Sequence, residues 1–183
     1  MKHLFKTQLL NLDLILQKAK IKEGLTIADF GCGKFGHFSF TASELVGDRG
    51  KVYAVDVIKT NLQLIDKEII NNNIKNVQTV WSDLEVPKAT KIQANSIDII
   101  FLINILHEAK KPFNITAEAQ RLLKPGGRLI IVEWKKTACP LGPKKEIKID
   151  QQVLIIETQK QGWHLEEVFA AGQYHFGLIF IKL

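Results

Sequence analysis

The chain is poor in the residues that cross-link a fold or read nucleic-acid bases. Two cysteines, Cys32 and Cys139, stand in 183 residues with no pairing pattern, so a disulfide framework is excluded and a reducing compartment fits. The formal charge of +6 raises nucleic acid or an acidic substrate as a partner, but the basic residues are almost all lysine; Arg49, Arg121 and Arg128 are the arginines. Sequence-specific reading leans on arginine forks, so this composition supports a general positive field of solvated lysines and leaves nucleic acid an open but unfavoured partner. No apolar run approaches the roughly 20 residues that span a bilayer. Residues 9–16 are rich in leucine, yet Asn11 and Asp13 interrupt them and no small-residue cleavage site follows, so neither a secretory leader nor a membrane partner is expected and the address is cytoplasmic. Repeats, low-complexity tracts and interdomain linkers are absent. The expectation is a single domain over residues 1–183, in which 46% apolar content supplies an ordinary core. His3, His37, His164 and His175 are scattered without ligand spacing, so no metal site is expected.

What is present is concentrated in residues 26–36, Thr-Ile-Ala-Asp-Phe-Gly-Cys-Gly-Lys-Phe-Gly. A short apolar run reads as a buried strand, and the glycines spaced G-x-G-x-x-G read as the tight turn that follows it. Residues 37–46 then read as a helix whose free N–H groups and positive dipole end face the turn. Such a turn, with Asp56 about 20 residues on at the end of the next apolar run, is by itself the fingerprint of a dinucleotide site. Asp29, two positions before the first glycine, discriminates. A carboxylate there would repel a pyrophosphate, whereas it attracts the ammonium and sulfonium of S-adenosylmethionine.

Strand and helix alternate along the chain. A helix over residues 7–20 is followed by strands at 26–30, 51–56, 77–81, 97–103 and 128–134, with helices at 37–46, 59–72, 113–123 and 151–161 between them. Asp150 reads as the N-cap of the last helix. Two final strand-like runs, 163–170 and 174–182, read as a hairpin across Ala171-Gly172-Gln173. The whole is an α/β fold with helices on both faces of the sheet.

Asp29-Phe30-Gly31-Cys32-Gly33 resembles the first motif of the class I S-adenosylmethionine-dependent methyltransferases, although the third glycine stands one place late, at Gly36. The resemblance extends over residues 23–183. It implies a Rossmann-like, doubly wound seven-stranded sheet, mostly parallel with an antiparallel C-terminal strand beside the fifth, and residues 1–22 as a helical cap. It also implies S-adenosyl-L-methionine as cofactor. Asp29, Phe30, Gly31, Cys32 and Gly33 would then face its methionine end, with Cys32 a small spacer. Asp56 would accept from the ribose hydroxyls, which one carboxylate can do for two donors. Val57 would line one face of the adenine, and Ser82, Asp83 and Leu84 would form the rest of the adenine site. Asn104 resembles the start of the fourth motif, whose main chain faces the methionine part.

On the acceptor side, His107 is the candidate general base. It lies three residues past Asn104, in a stretch resembling the one that carries that histidine in many small-molecule O-methyltransferases. Tyr174-His175-Phe176 reads first as packing. Lys135, Lys136, Lys144, Lys145 and Lys148 are placed to greet an anionic acceptor in the loop after the fifth strand. Arsenite methylation needs several thiols, and two cysteines count against it. The expected reaction is methyl transfer to the oxygen, nitrogen or carbon of a small molecule, with a second copy of the chain as a candidate cover for the site. RNA or protein methylation is the alternative, and an NAD-binding oxidoreductase a further one, opposed by Asp29, the terminal hairpin and the lack of a Tyr-x-x-x-Lys pair.

Overall fold

A computed structural model describes residues 9–137, 139 and 142–183. The expected helix start at 7–8, His3, and part of the turn at 140–143 lie outside the described residues. Seven strands form one sheet in the order β3-β2-β1-β4-β5-β7-β6. They are β1 (Thr26–Phe30), β2 (Lys51–Asp56), β3 (Val77–Trp81), β4 (Ile97–Ile103), β5 (Leu123–Trp134), β6 (Trp163–Gly172) and β7 (His175–Lys182). β7 runs antiparallel to both β5 and β6, and the other pairings are parallel. The chain thus builds the expected sheet with its antiparallel last strand.

Alternation along the strands feeds two cores, one on each side. Ile27, Ile99 and Phe101 pack with Ile15 of α1 (Leu12–Ala19), Ala42 of α2 (His37–Val46) and Ile65 of α3 (Lys59–Asn71). Ala28, Phe30, Ile100 and Leu102 face the other way, against Ile115 and Ala119 of α4 (Pro112–Leu122) and Leu154 of α5 (Gln151–Lys160). The near-continuous apolar run of β4 is therefore covered on both sides, as a central parallel strand requires.

Local chemistry sets the element ends. Asn11 caps α1 by accepting from the Leu14 N–H at 3.0 Å, and Asp150 caps α5 by accepting from Gln152 and Val153. Pro112 opens α4, where its missing N–H costs nothing. The first helix is shorter than the expected 7–20: residues 9–11 are not helical, because the Asn11 cap starts α1 at Leu12. Two further boundaries differ notably from the sequence reading. β5 begins at Leu123, straight from α4, because Leu123 pairs with Ile97 while Arg128 pairs with Ile99; the proline-glycine stretch between them bulges out of the ladder. The final hairpin is tighter than three residues, since Gly172 pairs with His175 and leaves a two-residue turn at Gln173-Tyr174.

Candidate active site

The carboxyl ends of β1, β2, β3 and β4 converge, and the predicted site residues lie there. Asp29, 3% exposed, points to the α2 side and accepts from the Ser39 hydroxyl at 2.6 Å. Burial pushes its carboxyl up to about 6; the Ser39 bond opposes the shift and the charge of Asp56 adds to it. Gly31 follows with φ +74, and a Cβ built on it would meet Ile105 Cγ2 at 2.4 Å, so glycine is needed for two reasons. The N–H groups of Gly31 and Cys32 both donate to the Val55 carbonyl, at 2.8 and 3.1 Å, which lashes the turn to β2.

Asp29, Gly31 and Cys32 share the wall of a cavity of about 210 Å³ with His37, Phe38, Ile103, Leu10 and Leu12. Leu10 and Leu12 come from the N-terminal segment, so one chain supplies part of its own cover. Cys32 is buried in this wall, where burial first, then the charges of Asp29 and Asp56, push its thiol far up and disfavour the thiolate.

Asp56 is 6% exposed and accepts from the Gly33 N–H at 2.9 Å, the Ile58 N–H at 2.8 Å and the Asn61 side chain at 3.2 Å. A carboxylate offers about four acceptor positions, so roughly one remains for a ligand hydroxyl, and a second opens only if Gly33 or Asn61 yields. Val57 is 53% exposed, and its carbonyl accepts from the indole N–H of Trp81 at 2.8 Å. Trp81 is itself half-exposed beside this rim and went unnoticed in the sequence, where it read only as the end of a strand.

The remaining predicted residues divide between the site and the core. The Ser82 hydroxyl pairs with Thr90 at 3.0 Å in the interior, while the Ser82 N–H donates to the Asp56 carbonyl. The side chains of Phe30 and Leu84 lie in the core, so these two offer mainly backbone. Asp83 accepts from the Glu85 N–H at 3.0 Å, an ordinary turn role that leaves acceptor capacity free. Asn104 closes β4 in the left-handed region at φ +57, with its side-chain nitrogen 3.2 Å from His175 Nε2.

His107 is not in the cavity wall. Its side chain is 5% exposed, with Nδ1 2.9 Å from the Glu133 carboxylate and Nε2 3.8 Å from that of Glu108. Glu133 was not foreseen, although an acid inside the apolar run of β5 was its visible signal. His175 is fully buried within a polar network, against the simple packing expected of it.

The lysines expected to greet an anion do not reach the cavity. Lys135 donates to the Gly172 and Gln173 carbonyls, and Lys148, 3% exposed, donates to Thr137 and lies over the Trp134 ring. Lys136, Lys144 and Lys145 are exposed and absent from the cavity wall, as solvated loop lysines usually are. No described helix is long and apolar enough to cross a membrane.

Comparison with known proteins agrees with this geometry. The methyltransferase-domain family matches residues 21–173. A SAM-dependent methyltransferase from Aquifex aeolicus has the same fold, with a TM-score of 0.87 and 27% identity over 96% of this chain and 92% of that one. The ubiquinone/menaquinone biosynthesis C-methyltransferase of Hahella chejuensis is 28% identical over 130 residues, 70% of this chain and 51% of the relative. The demethylmenaquinone methyltransferase of Lactococcus lactis is 28% identical over 118 residues, 64% of this chain and 45% of the relative. The chain spans about half the length of these curated relatives. The glycine turn preceded by Asp29, the sheet order with its antiparallel β7 and these matches together place the chain in the family of class I S-adenosylmethionine-dependent methyltransferase domains.

Proposed function

We propose that this domain transfers a methyl group from S-adenosylmethionine to a small, largely apolar organic acceptor. The observation that carries the reading is the cavity, in which one buried carboxylate, Asp29, shares a wall with Leu10, Leu12, Phe38 and Ile103. The residues suit the cofactor. A cation beside Asp29 would offset the burial that now disfavours its charge, Asp56 keeps an acceptor position open, and the Cβ position at Gly33, whose N–H already meets Asp56, opens onto free space among the described residues. When bound, S-adenosylmethionine supplies a methyl carbon already activated by the sulfonium.

The protein's own contribution is position and dryness. Asp29 would hold the ammonium end, Asp56 the ribose, and the Val57 backbone with Asp83 the adenine. The four apolar side chains hold the acceptor body and exclude water, which favours an in-line approach of its nucleophilic atom. Where the acceptor must lose a proton, Nε2 of His107 is the proposed base, because Glu133 occupies Nδ1; since His107 stands outside the cavity wall, this role requires the nucleophilic end of the acceptor to reach beyond that cavity to the turn after β4. The N-terminal segment serves as a cap supplied by the same chain. Relatives named for quinone biosynthesis support a small organic acceptor.

Radiolabelled methyl transfer into a panel of small hydroxylated and amine-bearing aromatics, run beside bulk RNA and a protein substrate, tests the reading. Labelling of a small aromatic, lost in Asp56→Asn, is expected. Labelling confined to RNA or protein would overturn the acceptor class.

A further inference from the structure

The N-terminal segment is held to the rest of the molecule in two unequal parts. Helix α1 is docked: Ile15 and Ala19 are fully buried in the core, and Leu16 nearly so. Residues 9–11, just before it, are not helical; Leu9 and Leu10 are half-buried and Asn11 is exposed. Two hydrogen bonds tie their main chain to the β6–β7 hairpin. The Asn11 N–H donates to the Ala171 carbonyl at 2.8 Å, and the Leu9 carbonyl lies 3.1 Å from His175 Nδ1. A carbonyl can only accept, so Nδ1 carries the proton. His175 is fully buried, and burial brings its pKa down to about 4, so the ring is neutral and this proton is the one it has.

Gly172 is the seat. The nearest atoms to a Cβ built there are the Leu9 oxygen at 2.1 Å, the Leu9 carbonyl carbon at 3.1 Å and Leu10 Cα at 3.4 Å. All three belong to residues 9 and 10. Gly172 does not occupy the left-handed region, so its own backbone would accept alanine. A methyl group at 172 would press first on this short segment and not on the sheet.

The segment also walls the cavity. Leu10 lines it beside Asp29, Gly31 and Cys32. The rest of the wall is built on fixed parts: the glycine turn is tied to the Val55 carbonyl, His37 and Phe38 belong to α2, Ile103 ends β4, and Leu12 opens the docked α1. The cavity holds about 210 Å³. Small-molecule sites usually hold roughly 300–1,000 Å³, so a ligand of ordinary size enters only where part of the wall moves. Leu10 is the part held least.

We infer that residues 9–11 are a releasable strap: they leave the β6–β7 hairpin to admit and discharge ligands, and they reseat on His175 and Gly172 to return Leu10 to the wall, so that strap opening governs the rate of ligand exchange. The identity of the exchanging ligand rests on the cofactor reading given under Proposed function.

Two measurements test it. In the unmodified, ligand-free protein, amide hydrogen exchange by NMR is expected to show Asn11 at least about tenfold less protected than Leu16 and Ala19 of α1. Equal protection across these amides overturns the strap, and this comparison needs no ligand. Stopped-flow tryptophan fluorescence then follows S-adenosylhomocysteine. Gly172→Ala, which wedges the seat, and His175→Phe, which removes one of the two hydrogen bonds, are each expected to speed both association and dissociation about tenfold, the worth of one ordinary hydrogen bond. A segment that only touched the ligand would alter dissociation alone. Thermal unfolding identifies the variants that fold, and either one suffices. Association unchanged or slower in a folded variant overturns the inference. Failure of the unmodified protein to bind S-adenosylhomocysteine would instead overturn the cofactor reading, with the exchange comparison still deciding whether the strap opens.

Discussion

Glu133 Oε2 lies 2.9 Å from His107 Nδ1, and the Glu133 side chain is almost wholly enclosed. The same carboxylate accepts from the backbone N–H groups of Leu106 at 2.7 Å, His107 at 3.3 Å and Trp134 at 3.3 Å. One side chain at the end of β5 thus fixes the backbone after β4 and the tautomer of His107, leaving Nε2 as its basic atom. Burial alone would lower the His107 pKa, but the hydrogen bond and charge of Glu133, with Glu108, outweigh it and raise it above 6.5.

Glu133→Gln is expected to lower the His107 pKa in an NMR titration and to move the acidic limb of the kcat/KM profile to lower pH. In the unmodified protein the charged pair adds stability that is full below pH 6.5 and fades as pH rises through the elevated pKa. Glu133→Ala strands three backbone donors in the interior and should cost roughly 3 kcal/mol or more in urea denaturation. An unmoved His107 titration in Glu133→Gln would contradict this account.

Asp29 should cost the empty protein stability. An unfolded chain releases this proton near 3.8 and the folded one near 6, so the penalty is absent below pH 4, grows as pH rises, and is complete above 6. Asp29→Asn is therefore expected to stabilise the ligand-free protein by on the order of 2 kcal/mol at pH 7.5, while weakening S-adenosylmethionine binding. Binding to the unmodified protein near pH 6 should release a proton, which titration in buffers of different ionisation enthalpy would count. Proton uptake would contradict the role given to Asp29.

Gly31→Ala places a methyl group against Ile105 at a left-handed backbone position. The expected result is a loss of roughly 1–3 kcal/mol in thermal unfolding together with loss of cofactor binding. Adding Ile105→Ala should restore part of the stability, since the clash is with that side chain.

Glu118, 3% exposed, joins α4 to the segment after β3 by accepting from Arg121 and from the N–H groups of Lys88 and Thr90. Burial raises its pKa, but Arg121 and Thr90 outweigh that and lower it below 4.5. Its contribution is present above pH 4.5 and lost as pH falls through the depressed value. Glu118→Gln should flatten the acid limb of the stability curve, and Glu118→Ala should cost roughly 2–4 kcal/mol at pH 7.

The sequence makes the frame legible because local pattern determines it. The apolar run of β4 needs cover on both faces wherever it sits, and Asp29, Asp56 and Asn104 follow apolar runs directly, which places them at strand ends before any tertiary contact is known. Glu133 and His175 were missed as site residues for the opposite reason. Their partners, His107 and Asn104, stand 26 and 71 residues away in the chain; the parallel pairing of β5 with β4 brings the first pair together, and the insertion of β7 beside β5 the second. Lys148 misled because a lysine in a polar loop reads as solvated until Trp134 is seen beneath it. Ser82 and Leu84 sit where the pattern put them, yet a period-2 reading gives a side chain's face and not its partner.

The central claim is that this glycine turn, with Asp29 before it and Asp56 beside it, holds S-adenosylmethionine. Calorimetric titration of the purified protein with S-adenosylmethionine, S-adenosylhomocysteine and NAD in parallel tests it most directly, with Asp56→Asn as control and thermal unfolding to confirm that the control is folded. Saturable binding of the first two, lost in the control, and no binding of NAD is the predicted result. Binding of NAD without the other two would contradict the account.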